Sequence, residues 1–217
     1  MRILVGSDLH NNVRGNTWFC NLADSLRPDA LVFLGDFITF EPLEFARGVL
    51  RDLASLGVPA LVIPGNCDPR DLLLHIDQIE GVTNLHNRAL RVNGFTFVGR
   101  GGSITCPSPT PFEEPDESFA APLEPLIQGA DVLVVHQPAR GFRDRIAGVG
   151  NVGSESLLKL IAAHQPRLVL SGHIHEAKGL DVWGQTTFVN PGALLALNAA
   201  VINLGQHIQV DFKEGDE

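Results

Sequence analysis

The sequence predicts an α/β protein with a mixed sheet system, and three features lead there. Five short runs rich in Val, Ile and Leu each stop at a loop containing Gly or His. They are "RILVGSDLH" from Arg2, "ALVFLGDF" from Ala30, "ALVIPGNCD" from Ala60, "DVLVVHQP" from Asp131 and "RLVLSGHIH" from Arg167. Continuous apolar runs of this length suit strands covered on both faces. Between them, Thr17–Leu26, Pro42–Leu56 and Ser154–His164 carry apolar residues at three- and four-residue intervals, the spacing of a helix with one buried face. The remaining candidate strands are Ala89–Val92, Phe95–Val98, Gly179–Val182, Thr186–Val189, Ala200–Leu204 and His207–Phe212. They follow one another across turns such as Asn93-Gly94 and Trp183-Gly184, which predicts antiparallel hairpins and hence a mixed sheet. Strands alternating with helices stack as layers.

Local chemistry marks several boundaries. Asp68 reads as a helix N-cap with Pro69 at the first helical position and Asp71 in the first turn, and Ser154 caps "GSESLLKL". Gly101–Phe119, "GGSITCPSPTPFEEPDESF", is rich in Pro and acid and too polar for a core. It is expected as a long surface loop, either at the rim of a site or as a loose insertion. The final "KEGDE" is expected to fray. With no repeat, linker or low-complexity tract, residues 1–217 are read as one domain.

The composition, 44% hydrophobic and 19% charged, is that of a soluble chain with a packed core. "MRILVGSDLH" has an apolar stretch of only Ile3 to Val5, so it does not read as an export signal. No apolar run approaches the ~20 residues of a membrane span. Cys20, Cys67 and Cys106 show no CxxC spacing, and their odd number argues against a disulfide framework and for a reducing, cytoplasmic setting. A net charge of -9 disfavours strong nucleic-acid binding and attraction to anionic membranes, which call for a basic face.

All five runs end in side chains able to bind a metal: Asp8 and His10, Asp36, Asn66, His136, and His173 with His175. On extended backbone, side chains at i and i+2 share a side, so His173 and His175 can converge on one point. In open α/β sheets ligands bind beyond the carboxyl ends of the strands, which lets residues from separate runs meet. Two carboxylates, one amide and four imidazoles are too many donors for one ordinary ion. They suit a pair of borderline ions such as Mn, Fe, Ni, Co or Zn.

Taken in order, "SDLH", "LGDF", "PGNCD", "VVHQP" and "SGHIH", followed by "NPGAL" at Asn190–Leu194, resemble the signature motifs of the calcineurin-like metallophosphoesterases. The "GNCD" form resembles a branch of phosphodiesterases that includes small prokaryotic members. The resemblance implies a four-layer α-β-β-α sandwich of two mixed β-sheets flanked by helices. It also implies two divalent metal ions, manganese foremost. Asp8, His10 and His175 would hold the first ion and Asn66, His136 and His173 the second, with Asp36 bridging both. Asp36, Asn66 and His136 would be catalytic, and a metal-bridging hydroxide would attack the phosphodiester bond. Two divalent ions against Asp8 and Asp36 leave a positive site for a small phosphate-ester substrate, a nucleotide among the candidates, on an acidic protein.

Many relatives that act on monoesters have a histidine after the motif asparagine, placed to protonate the leaving group. Cys67 stands there instead, and a thiol of ordinary pKa ~8.5 substitutes poorly, which favours diesters or good leaving groups. The bland reading of Cys67 is a small packing residue. Phe37, Ile38, Thr39 and Phe40 follow Asp36, so the GDxxD-like extension of protein-phosphatase-like members is absent. Phosphomonoesterase or nucleotide-pyrophosphate hydrolase activity is the alternative within the enzyme class. A non-catalytic scaffold is the other, since the retromer scaffold subunit shares the "GNCD" pattern; the complete donor set favours the enzyme.

Arg140, Arg143 and Arg145 form either a solvated basic loop or a contact to substrate. His75, His86, His164 and His207 are expected outside the site and Trp18 and Phe19 in the core. Gly35, Gly65 and Gly172 precede ligands where the backbone must turn sharply. Asn190 is expected to serve a structural turn.

Overall fold

The apolar runs form strands in a computed structural model that describes residues 1–216. Along the chain come β1 (Arg2–Gly6), α1 (Val13–Leu26), β2 (Ala30–Phe33), α2 (Leu43–Ser55), β3 (Ala60–Val62), α3 (Leu72–Ile76) and β4 (Val82–Asn84). Next are β5 (Arg88–Val92), β6 (Phe95–Arg100), β7 (Ser103–Ile104), β8 (Glu113–Glu114), α4 (Asp116–Phe119), β9 (Val132–Val135), β10 (Arg145–Ile146) and β11 (Gly150–Asn151). Then follow α5 (Glu155–His164), β12 (Leu168–Leu170), β13 (Gly179–Trp183), β14 (Thr186–Asn190), β15 (Asn198–Leu204) and β16 (Ile208–Glu214).

Two six-stranded mixed sheets result, with orders β16-β15-β1-β2-β3-β4 and β13-β14-β12-β9-β6-β5. The expected hairpins close antiparallel as β5–β6, β13–β14 and β15–β16, while β1, β2, β3 and β4 pair in parallel. Alternation along each strand explains the layers. Ile3, Val5, Val32 and Leu61 of the first sheet face Phe97, Val132, Val134 and Leu170 of the second. Leu4, Leu31 and Val62 point the other way, onto Phe19 of α1 and Leu50 and Leu53 of α2. Leu133, Val135 and Val169 turn outward onto Leu157 and Ile161 of α5. Both faces of each sheet are thus buried, which is why the central strands carry no polar alternation. The result is the expected α-β-β-α sandwich, each fully buried aliphatic contributing roughly 1.5–3 kcal/mol. Among the described residues, no helix is long and apolar enough to cross a membrane.

Four local expectations change. α1 begins at Val13 rather than Thr17, because Asn12 caps it by accepting the Gly15 N–H. Asp68 is no N-cap: it is fully buried and accepts the N–H groups of Gly65 (2.7 Å), Phe37 (3.3 Å) and Ile38 (3.2 Å), and the helix starts only at Leu72. The Gly101–Phe119 stretch is not a loose insertion. It contains β7, β8 and α4, it buries Phe112 and Phe119, and its Asp116 accepts the Glu155 N–H at the start of α5. The terminal residues are tied down as well, since β16 runs through Glu214 and the Gly215 N–H donates to Leu197 O. Glu217, the last of that expected tail, lies outside the described residues. Ser154 caps α5 as expected, accepting the Leu157 N–H at 3.0 Å.

Candidate metal centre

The loops after the strands dock on one another through backbone hydrogen bonds. Asp8 N–H donates to Gly35 O and His10 N–H to Asp36 O, both at 3.0 Å. Leu194 N–H reaches Ser7 O and Leu195 N–H reaches Asp8 O, so the "NPGAL" turn closes the same crevice. Asp8, His10, Asp36 and His173 all lie in the left-handed region, with φ of 55°, 49°, 54° and 67°. Such a conformation costs a non-glycine residue of order 1–3 kcal/mol and persists only where surrounding contacts over-determine it. Here it turns side chains from separate strands inward.

The glycines before the ligands do different jobs. Gly35 supplies the expected sharp turn, with φ +98°. Gly65 and Gly172 do not have positive φ; they permit close approach. A Cβ on Gly65 would sit 2.0 Å from Asp36 Oδ1, and one on Gly172 would sit 2.0 Å from Ser7 Oγ.

All seven sequence-predicted donors meet in this crevice. Nε2 of His10 and of His175 are 3.1 Å apart, and His175 Nε2 is 3.4 Å from Asp8 Oδ1. On the other side His136 Nε2 is 2.9 Å from Asn66 Oδ1, and the His136 and His173 ring centroids are 5.1 Å apart. Asp36 Oδ2 stands between the two groups, 3.6 Å from His10 Nε2 and 3.4 Å from His136 Nε2. Donor atoms of Asp8, His10 and His175 lie within 4.8 Å of one another, as do those of Asp36, His136 and His173 and those of His10, Asp36 and Cys67.

The donors suit divalent cations. Asp8 and Asp36 are buried, and among the described residues no Lys or Arg makes a salt bridge to either. A buried carboxylate without a cation is costly, so the set calls for positive charge. The rings are also held for coordination: His136 Nδ1 donates to Leu34 O at 2.7 Å and His10 Nδ1 bonds Thr39 Oγ1 at 3.0 Å, leaving each Nε2 facing the cluster.

Without ions, protons take up the compensation. Burial alone would raise Asp36 and Asp8, but His136 beside Asp36 and His175 beside Asp8 hold both carboxyls below the usual range. Burial opposes the charged form of His136, yet Asp36 outweighs it and lifts that imidazole to about 9. His173 is pushed down to about 4 by burial and then by the His136 charge. Burial and then the Asp36 charge push the Cys67 thiol far up.

Several contributors have no sequence motif. Thr110 Oγ1 accepts from Asn66 Nδ2 at 3.0 Å, and Cys106 Sγ stands 4.0 Å from His173 Nε2. Both come from the acidic stretch, where nothing local points at a metal ligand. Asn190 is structural: it donates to Ile174 O at 2.9 Å and so braces the turn between His173 and His175. Arg143 is bound by Asp181 through two bonds and Arg140 by Glu155, so neither reaches the cluster. Arg143 and Arg145 instead line a cleft of about 980 Å³ with Glu176 and Lys178, and none of the seven donors lines it. His86 packs on Phe112 and His164 pairs with Glu124, and neither belongs to the groups of close donor atoms.

A four-layer sandwich with oxygen and imidazole donors gathered at its strand ends is the scaffold of a metal-dependent hydrolase. The chain belongs to the calcineurin-like phosphoesterase superfamily, whose domain model matches residues 1–204. An uncharacterized protein of Methanocaldococcus jannaschii is 30% identical over 174 residues, 75% of this chain and 77% of that one. A solved Thermus thermophilus protein superposes with a TM-score of 0.78 at 20% identity, covering 97% of each chain. A dimetal phosphatase from Danio rerio superposes at 0.73 with 12% identity, covering 99% of this chain and 96% of that one. At these identities the superpositions speak for a shared fold.

Proposed function

We propose that the protein is a dinuclear metal-dependent phosphoesterase that hydrolyses phosphodiester bonds. The observation that carries this reading is the position of Asp36 Oδ2 between two donor groups, 3.6 Å from His10 Nε2 and 3.4 Å from His136 Nε2. Asp8, His10 and His175 would hold one ion, Asn66, His136 and His173 the other, and Asp36 both. Bound there, two divalent ions, manganese first among the candidates, would acidify water and offset charge on the phosphoryl oxygens.

The chain's own residues supply the rest. Asp8 and Asp36 provide buried negative charge, and Leu34 O and Thr39 Oγ1 keep the imidazoles turned toward the cluster. Asn66 and His136 complete the far side and would orient the phosphate. Cys67 stands where many relatives acting on monoesters have a histidine as leaving-group acid, and a thiol of ordinary pKa ~8.5 serves poorly in that role. Esters of acidic alcohols therefore suit the site, and the "GNCD" resemblance adds diesters, nucleotide diesters among them. Cys20, Cys67 and Cys106 are all free thiols, which supports a reducing, cytoplasmic setting.

The test is hydrolysis of bis(p-nitrophenyl) phosphate beside p-nitrophenyl phosphate by metal-stripped protein, with and without manganese. Manganese-dependent turnover favouring the diester is expected. Preference for the monoester would transfer the assignment to a phosphomonoesterase. Metal binding without turnover of either ester under Mn, Ni, Co or Zn would favour a scaffold.

A further inference from the structure

An amide offered to a cation has a right and a wrong way round. Its oxygen binds and its NH2 repels, and the two ends are nearly the same size. Asn66 is the one amide among the seven donors, so something must decide its orientation. Asn66 Nδ2 donates to Thr110 Oγ1 at 3.0 Å, and Thr110 Oγ1 donates to Glu113 Oε1 at 2.7 Å. Glu113 Oε1 also accepts the Thr110 backbone N–H at 2.8 Å, which fixes it as the acceptor of this pair. The hydroxyl proton is committed to Glu113, and only lone pairs remain to face Asn66. A reversed amide would set Oδ1 against those lone pairs; the observed one turns Oδ1 to His136 Nε2 at 2.9 Å.

Thr110 is itself held firmly. Glu113 Oε2 accepts the Cys106 N–H at 3.3 Å, and Glu113 O accepts from Arg70 Nη2 at 2.9 Å. The neighbouring Phe112 is 1% exposed, lies under the Arg70 guanidinium and donates its N–H to Asn66 O at 3.0 Å. The loop thus grips Asn66 by backbone and side chain together.

We propose that Thr110, oriented by Glu113, is a positioning residue that turns the Asn66 amide so that Oδ1 is its metal-binding atom. The inference rests on the reading of Asn66 as a ligand of the second ion. Loss of such an outer partner typically weakens metal binding by ~10- to 100-fold.

The experiment titrates manganese into metal-stripped wild type, T110V, T110S and N66A, counting bound ions and their affinities, with diester turnover followed at limiting and excess manganese. Wild type is expected to take up two ions. T110V should keep the first at wild-type affinity and bind the second ~10- to 100-fold more weakly, with turnover recovering at excess manganese. T110S, which restores the hydroxyl, should behave as wild type. Should T110V not fold, T110A carries the same expectation. Wild-type affinity for both ions in the variant lacking the hydroxyl would overturn the role of Thr110 and leave the ligand reading intact. Fewer than two ions in wild type, or an undiminished second ion in N66A, would overturn the ligand reading and the inference with it.

Discussion

Asp36 is the side chain that stands between the two donor groups. Its Oδ1 accepts the Cys67 N–H at 2.8 Å while Oδ2 faces His10 and His136, so Asp36→Asn would place an NH2 where one of those acceptors stands. We expect this variant to fold, to lose affinity for both ions and to show no diester turnover. Metal counting after dialysis checks it, and normal activity would remove the bridging assignment. Cys67→His tests the neighbouring position. A well-placed general acid contributes ~10²–10⁴-fold, so monoester turnover should rise at least ~10-fold relative to diester turnover. An unchanged ratio of the two rates would remove the main reason for preferring diesters. The seven side chains that meet in the crevice were legible as candidates in the sequence, because all of them follow one of five apolar runs. Thr110 was not, since it meets Asn66 from 44 residues away and its neighbours carry no ligand pattern.

At the scale of elements, the site is held by loops that are themselves pinned. Asp68 accepts N–H groups from the loops after both β2 and β3, joining them under the ligands. Asp68→Ala strands those buried donors, and at ~1–3 kcal/mol for an unsatisfied group the loss of stability should be about 3 kcal/mol or more. Urea unfolding of metal-free protein measures this, and a loss under ~1 kcal/mol would argue against the staple. Asp-Pro before an apolar stretch reads locally as a helix start, which is why the sequence points to a cap here. The competing partners, Phe37 and Ile38, precede Asp68 by 31 and 30 residues and outbid the helix because they are buried. The acidic stretch misleads for the same reason: Phe112 and Phe119 are too widely spaced to signal a core by themselves, yet each finds one.

Across the whole molecule, seven donors from both sheets gather in one crevice, so ion binding should stabilise the entire sandwich. An ion at ~100 times its Kd adds ~2.7 kcal/mol per site. For a chain of this length that is a rise of ~5–10 °C in Tm. Manganese-loaded protein should accordingly melt at least ~5 °C above protein treated with a chelator, and coincident melting curves would contradict a site tied to the fold. The affinity should also fall with acid. His136 holds its proton up to about 9 without ions, so an ion must displace that proton, and lowering the pH strengthens the competitor.

The sequence by itself determined the central strands of both sheets, the hairpins and the chemistry of the side chains that follow those central strands. Apolar period, turn residues and ligand chemistry are properties of neighbouring residues, and they survive whatever the rest of the chain does. The tertiary structure alone decided that Asp36 stands between the two donor groups, that Asp68 staples loops instead of capping a helix, and that a polar loop turns the Asn66 amide. These outcomes depend on which distant groups are buried together, where a polar atom must take whatever partner the packing brings to it.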